Sequence, residues 1–386
     1  MQKLALDEEI LLQVEQPARY IGGEINSVKK DPDKVKLRFA MCFPDVYEIG
    51  MSHLGIQILY SMFNRREDVY CERVFSPWTD LDRILRERKI PLFTLESQRP
   101  VRECDFLGIT LQYEMCYTNI LQVLELSEIP LRAADRSDND PIVIGGGPCT
   151  YNPEPIAPFF DLFYMGEGEV IYDQLLDLYL AHKEAGGDRS SFLKKAAALP
   201  GIYVPSLYEP RYREDGTLSS FEPLCPEAPA SVRRLVMSVL DRADFIDTPL
   251  VPFIRVTQDR SVLELMRGCI RGCRFCQAGN VYRPQREHSV EYLKRYAEKL
   301  LKITGNEEIS LSSLSSSDYS RLQEFLEYLI QYTKERKINI SLPSLRIDAF
   351  SLDVMQRIQD VKKSSLTFAP EAGTQRLRDV INKGIT

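Results

Sequence analysis

Three cysteines fall within eight residues, Cys269, Cys273 and Cys276, inside the run MRGCIRGCRFCQAG. Three thiolates on one loop broken by Gly268 and Gly272 can take three corners of a cubic iron–sulfur cluster, which leaves the fourth iron without a protein ligand. An open iron is a place for chemistry. Zinc and three unligated thiols are the alternatives. Structural zinc takes four Cys or His ligands, often as two separated pairs. Here the nearest extra donor is His288, and no second Cys pair follows. Five arginines surround the motif, Arg267, Arg271, Arg274, Arg283 and Arg286. They would either contact phosphates of an RNA or balance the negative charge of a cluster.

The elements that must position this loop follow a βα rhythm. Strands are predicted at Val262–Met266, Glu308–Leu314, Ile338–Leu342 and Ser365–Ala369, each followed by a helix. The helix after the second is the clearest, because Leu322, Phe325, Leu326, Leu329 and Ile330 recur at helical spacing. Upstream, strands at Val35–Phe43, Cys71–Phe75, Phe106–Leu111, Pro141–Ile144 and Phe159–Met165 alternate with helical patterns, one of which Thr118 would cap. That alternation predicts a doubly wound parallel sheet. Its last two strands run into Gly145-Gly146-Gly147 and Gly166-Glu167-Gly168-Glu169 at the carboxyl edge, where open α/β sheets bind ligands. Glycine also serves turns for conformational reasons alone, so both readings stand. Residues 1–33 are read as a leading segment, 34–184 as the doubly wound domain, 185–247 as a connector with a hairpin at Asp215-Gly216, and 248–386 as the second domain.

The C-x3-C-x2-C spacing, with Phe275 just before the third cysteine, resembles that of radical S-adenosylmethionine (SAM) enzymes. It is similar to the group that includes methylthiotransferases, the Elongator catalytic subunit and the oxygen-independent coproporphyrinogen oxidase. The resemblance implies an incomplete (β/α)6 partial TIM barrel, a [4Fe-4S] cluster on Cys269, Cys273 and Cys276, and SAM laid across the strand ends. It further implies Phe275 near the adenine, Ser312 and Ser313 near the SAM amino group, and Arg346 and Glu371 facing the ribose or amino-acid part. Lys383 stands where relatives place an arginine for the carboxylate. A low-potential donor of flavodoxin or ferredoxin type and an unknown substrate, with RNA admitted, complete the implied partners.

The stretch PIVIGGGPCTYNPEPIAPFFDLFYMGEGE resembles the end of a cobalamin-binding-like domain. Such a domain would bring Gly145, Gly146, Gly147, Gly166, Glu167 and Gly168 to a corrinoid. Its usual Asp-x-His-x-x-Gly motif is not met, since His53 has Met51 two places before it and Ile56 three places after. His53 is read as a helix-start residue. Cobalamin is therefore admitted by the resemblance but not required.

The 386 residues carry a formal net charge of -7 and ordinary globular usage, 44% hydrophobic and 27% charged. There is no global basic footprint for nucleic acid. No apolar run is long enough to span a membrane, and the first residues do not pattern as a signal peptide. Nine cysteines, an odd number, argue against a disulfide framework and for a reducing cytoplasm, with the six outside the motif read as small buried hydrophobes. Only four βα units precede Thr386, so the second domain is expected to be truncated.

Overall fold

The computed structural model describes residues 4–242, 246, 248–343 and 369–386. The chain divides into two compact units, Met1–Met237 with Ile246–Thr257, and Ser238–Phe245 with Gln258–Thr386.

The first unit is a doubly wound sheet. Its strands are β1 (Leu37–Phe43), β2 (Val69–Phe75), β3 (Phe106–Thr110), β4 (Ile142–Gly146), β5 (Leu162–Tyr164) and β6 (Ile202–Tyr203), in the order β2-β1-β3-β4-β5-β6. The first five are parallel and β6 is antiparallel to β5. Every side chain of β1 is buried, as strands covered on both faces require. Leu37, Phe39, Met41 and Phe43 pack on one face with the helices Leu54–Asn64 and Tyr172–Glu184, while Ala40 and Cys42 face the helices Thr79–Arg88 and Tyr117–Leu126. The crossover reverses between β1 and β3, the switch point of this topology.

Three expectations are corrected. β4 does not stop at Ile144: Gly145 and Gly146 lie in the strand, paired with Ile109 and Thr110 on one side and with Phe163 and Tyr164 on the other. Glycine is needed there because a Cβ on Gly145 would stand 2.6 Å from the Phe163 ring. Thr118 caps nothing. Its helix begins at Tyr117 with no side-chain cap, entered through the 3-10 turn Glu114–Cys116. Residues 185–237 are also more than a connector. The helix Arg189–Ala197 buries Phe192 and Ala196 against the sheet, and β6 is the sheet's edge. A hairpin, β7 (Tyr208–Tyr212) and β8 (Leu218–Pro223), turns at Gly216, with Asp215 accepting from the Thr217 amide at 2.9 Å.

The opposite edge strand, β2, carries adjacent buried charges. Arg73 donates to Glu24 at 3.0 and 2.6 Å and to Glu96 Oε1 at 2.6 Å, all three side chains about 1% exposed. The Glu96 carboxylate also accepts the Arg73 amide at 2.5 Å, and Leu95 N donates to the Arg73 carbonyl at 2.9 Å. The segment around Glu96 thus satisfies backbone groups that an edge strand leaves open. Beside it, Arg38 pairs with Glu72 at 2.9 Å. With one guanidinium between two carboxylates, Glu24 is held below the usual range, while burial pushes Glu96 up to about 7.

In the second unit, β9 (Ser261–Glu264), β12 (Glu308–Ser312) and β13 (Asn339–Ser341) form a parallel sheet in the order β13-β12-β9. The helix Val290–Thr304, capped by Ser289 and ended at Gly305, covers it together with Leu322–Lys334. The short strands β10 (Met266–Arg267) and β11 (Arg286–Glu287) pair antiparallel. The strand expected at Ser365–Ala369 lies outside the described residues except for its last position. No helix among the described residues is long and apolar enough to cross a membrane.

Replacing Arg73 with Met would strand two buried carboxylates. The variant is expected to lose about 3–5 kcal/mol of stability, read as a lower urea midpoint at pH 7.5.

Candidate active site

Strands β10 and β11 close the base of the cysteine loop, pairing Met266 with Glu287 and Arg267 with Arg286. Gly268 makes the closure feasible. Its φ is +84°, and a Cβ there would lie 2.5 Å from the Tyr282 carbonyl oxygen and 2.7 Å from that of Pro284. Within the loop all three thiols are half-buried. Two backbone amides point at sulfur, Arg271 N at Cys269 Sγ and Gly279 N at Cys276 Sγ, each at 3.4 Å. Among the described residues no three His, Cys, Asp or Glu side chains stand close enough to hold a metal ion as they are. A cube takes one thiolate at each of three separate corners, so the donor set fits a cluster better than a single ion.

The chain's last described segment docks on this loop. Helix Gln375–Val380, capped by Thr374, runs into a turn whose Ile381 carbonyl accepts Arg274 N at 3.0 Å. Asn382 donates to the Gly272 carbonyl at 2.8 Å, and Arg274 donates to Val380 O at 2.6 Å. These contacts set Lys383 above the Phe275 ring, 5.8 Å from its centre, and 3.0 Å from Glu371 Oε1. Lys383 is only 12% exposed, and Glu371 adopts φ +67°, a conformation that costs a non-glycine residue about 1 kcal/mol or more. Three residues that the sequence proposed separately, Phe275, Glu371 and Lys383, therefore form one group.

Ser312 ends β12, its carbonyl accepting Leu265 N at 2.9 Å. The Ser313 hydroxyl is turned onto Ser316 at 2.9 Å. Arg346 lies outside the described residues. His288 is no cluster ligand: its Nδ1 is 3.0 Å from Asp241, and its ring stacks on Tyr292 at 4.1 Å.

The five arginines are engaged within the chain. Arg267 meets Glu264 at 3.0 Å, Arg271 forks onto Asp318, Arg274 and Arg283 bind backbone carbonyls, and Arg286 donates to Pro284 O. Asp318 escaped sequence reading, although it is the one acid in the serine-rich run SLSSLSSSDYS.

In the first unit the glycine turns are filled by the chain itself. Gly147 has φ +117° with Leu111 O 2.8 Å from its Cβ place, Gly166 has φ +142° with Leu235 O at 2.4 Å, and Gly168 faces Leu59 at 2.6 Å. Only Gly146 is looser, with the Tyr172 hydroxyl at 3.4 Å. Glu167 accepts the Met237 amide at 2.7 Å. His53 starts a helix as expected, its Nδ1 accepting Ile56 N at 3.3 Å. With Nδ1 engaged in that cap, His53 serves the helix start.

A parallel sheet whose first strand leads into a closed loop bearing three thiols defines an α/β unit. Residues 263–386 match the family model described as the radical SAM superfamily, and residues 55–205 match that of radical SAM proteins, N-terminal. The chain, matched over both stretches, belongs to the radical SAM proteins, and membership implies a [4Fe-4S] cluster and SAM as cofactors. It is 27% identical to an uncharacterized protein of Methanocaldococcus jannaschii over 90% of this chain and 63% of that protein. It is 26% identical to an uncharacterized methyltransferase of Pyrococcus horikoshii over 66% of this chain and 50% of that protein. The chain thus spans about half to 63% of the curated relatives it matches. In fold it is similar to the radical SAM methyltransferase TsrM of Kitasatospora setae, solved with tryptophan substrate and a SAM analogue. The TM-score is 0.52 at 12% identity, covering 90% of this chain and 62% of that one.

Burial pushes the His53 pKa down to about 4, below its ordinary 6.5. The unfolded chain therefore takes up this proton first, so the stability that neutral His53 contributes is complete above about pH 6.5 and is lost as the pH falls toward 4. His53→Ala should lower stability by about 1 kcal/mol at pH 7.5. In urea titrations the gap from the parent chain should shrink by pH 5.

Proposed function

We propose that the second unit is the SAM-cleaving core of a radical SAM enzyme, with the cluster on Cys269, Cys273 and Cys276. The observation that carries this reading is the closed loop with three half-buried thiols, beside which Phe275, Glu371 and Lys383 converge. Cys269, Cys273 and Cys276 would hold a cluster that would supply one electron, drawn from a flavodoxin- or ferredoxin-type donor, for cleavage of the SAM S–C5′ bond to methionine and a 5′-deoxyadenosyl radical that would act on a substrate.

The residues of the chain supply position and charge. Phe275 offers an aromatic face for the adenine. Lys383 offers an ammonium to the SAM carboxylate, without the bidentate fork of an arginine. Glu371 sets the direction of that ammonium and faces the ribose or amino-acid part, a role that Arg346 shares in this proposal. Ser312 and Ser313 are assigned to the SAM amino group, for which Ser313 must release Ser316. Because Lys383 is nearly buried and already paired, it needs no rearrangement of solvent to meet a carboxylate.

Methyl transfer is the reaction we favour for the whole protein, with a corrinoid at the carboxyl edge of the first unit near Gly145, Gly146, Gly147, Gly166, Glu167 and Gly168. The pairing of a cobalamin-binding-like region with a radical SAM core supports it, as does the relative described as a methyltransferase. An RNA-modifying role of methylthiotransferase type is less favoured, because the five arginines around the loop already have partners in the chain. A non-catalytic scaffold is the remaining alternative.

Anaerobic reconstitution should load about four irons per chain, and dithionite with SAM should then release 5′-deoxyadenosine. Cys273→Ala should abolish that release. Loaded cluster without any 5′-deoxyadenosine would leave the scaffold reading standing. Hydroxocobalamin mixed with the chain should give a bound visible spectrum that His53→Ala leaves unchanged.

A further inference from the structure

Cys269 and Cys273 are separated by Ile270, Arg271 and Gly272, and Arg271 does more than fill a place. Its amide points at Cys269 Sγ at 3.4 Å, and its carbonyl accepts Arg283 at 2.9 Å from the far side of the loop. Its guanidinium leaves the loop altogether and forks onto Asp318, Nε to Oδ2 at 2.9 Å and Nη2 to Oδ1.

Asp318 sits in the turn after β12, forty-seven positions away. Its carboxylate is 5% exposed and also accepts the Ser315 hydroxyl at 2.8 Å, and its amide donates to Ser315 O at 2.9 Å. Its own carbonyl accepts Gln285 Nε2 at 3.5 Å, at the closing end of the same loop. One residue of the β12 turn thus reaches both ends of the cysteine loop. The turn that holds it also holds Ser313 and Ser316.

We infer that Asp318 is the positioning residue of the cluster loop: through Arg271 it pins the segment between the first two cysteines to the serine turn and neutralises the Arg271 guanidinium. The inference rests on the three cysteines being cluster ligands. A buried carboxylate shared between an arginine and a serine costs free energy to desolvate, and here it adds a further tie to a loop also held by the β10–β11 pair and by the turn after Gln375–Val380. Removing the Asp318 charge would leave the surroundings of the loop one unit more positive. That favours the more negative, reduced state.

The test uses Asp318→Asn, nearly isosteric, and the double variant Arg271→Met with Asp318→Asn, each first checked for native circular dichroism. In the iron-free chain, iodoacetamide should alkylate the motif thiols several-fold faster in both variants than in the parent. In the reconstituted chain, the midpoint potential from EPR-monitored titration should shift to less negative values in Asp318→Asn and return toward the parent in the double variant, which is again without the excess charge. Parent-like alkylation and potential in Asp318→Asn would overturn the proposal. A shift that the double variant does not reverse would overturn its electrostatic half. Failure of the parent chain to load iron would instead overturn the cluster reading, and the alkylation comparison would still decide whether Asp318 pins the loop.

Discussion

In the proposed site three thiolates can reach three corners of one cube only if the chain between them is held in a single closed course, and the contacts of the second unit hold this loop in one. The β10–β11 pair draws the ends of the loop together, and Gly268 allows the crossing because no side chain fits between it and the Tyr282 and Pro284 carbonyls. The register of β9 with β12 sets Glu264 beside Ser312, so the loop's root and the serine turn leave the sheet side by side. Helix Gln375–Val380 and its following turn then hold the loop through Gly272 and Arg274. Lys383 reaches Phe275 as a consequence of that docking.

The first unit obeys a different constraint. Its sheet is buried on both faces, so the charges that fall in β2 must be paired inside the protein. Arg73 and Arg38 do this with Glu24, Glu96 and Glu72, and they close the sheet edge in doing so. Its glycines are explained by packing: Gly145 makes room for Phe163, and Gly147 and Gly166 let the backbone pass Leu111 and Leu235. The fold offers a ligand-binding edge at its switch point, and the residues at that edge decide what, if anything, uses it.

Local patterns in the chain are enough to place β1, β3 and β12 nearly to their observed ends and to show the buried stripe of the helix Leu322–Lys334, because alternation and helical spacing report burial directly. The cysteine motif was legible for the same reason, since its ligands are neighbours in sequence. What escaped were partnerships across distance. Arg73 meets Glu24 forty-nine positions away, and Arg271 meets Asp318 forty-seven away. Nothing in either local run announces the other. The end of β4 was misplaced because glycine reads as a turn, whereas Gly145 and Gly146 here are strand residues with bulky neighbours.

In the proposed site, a cluster on Cys269, Cys273 and Cys276 would leave one iron open for SAM. EPR of the dithionite-reduced, reconstituted chain tests it most directly. Adding SAM should change the g-values of the reduced cluster, as ligation at a single iron requires. A chain with its full iron complement whose spectrum is the same with and without SAM would contradict the claim.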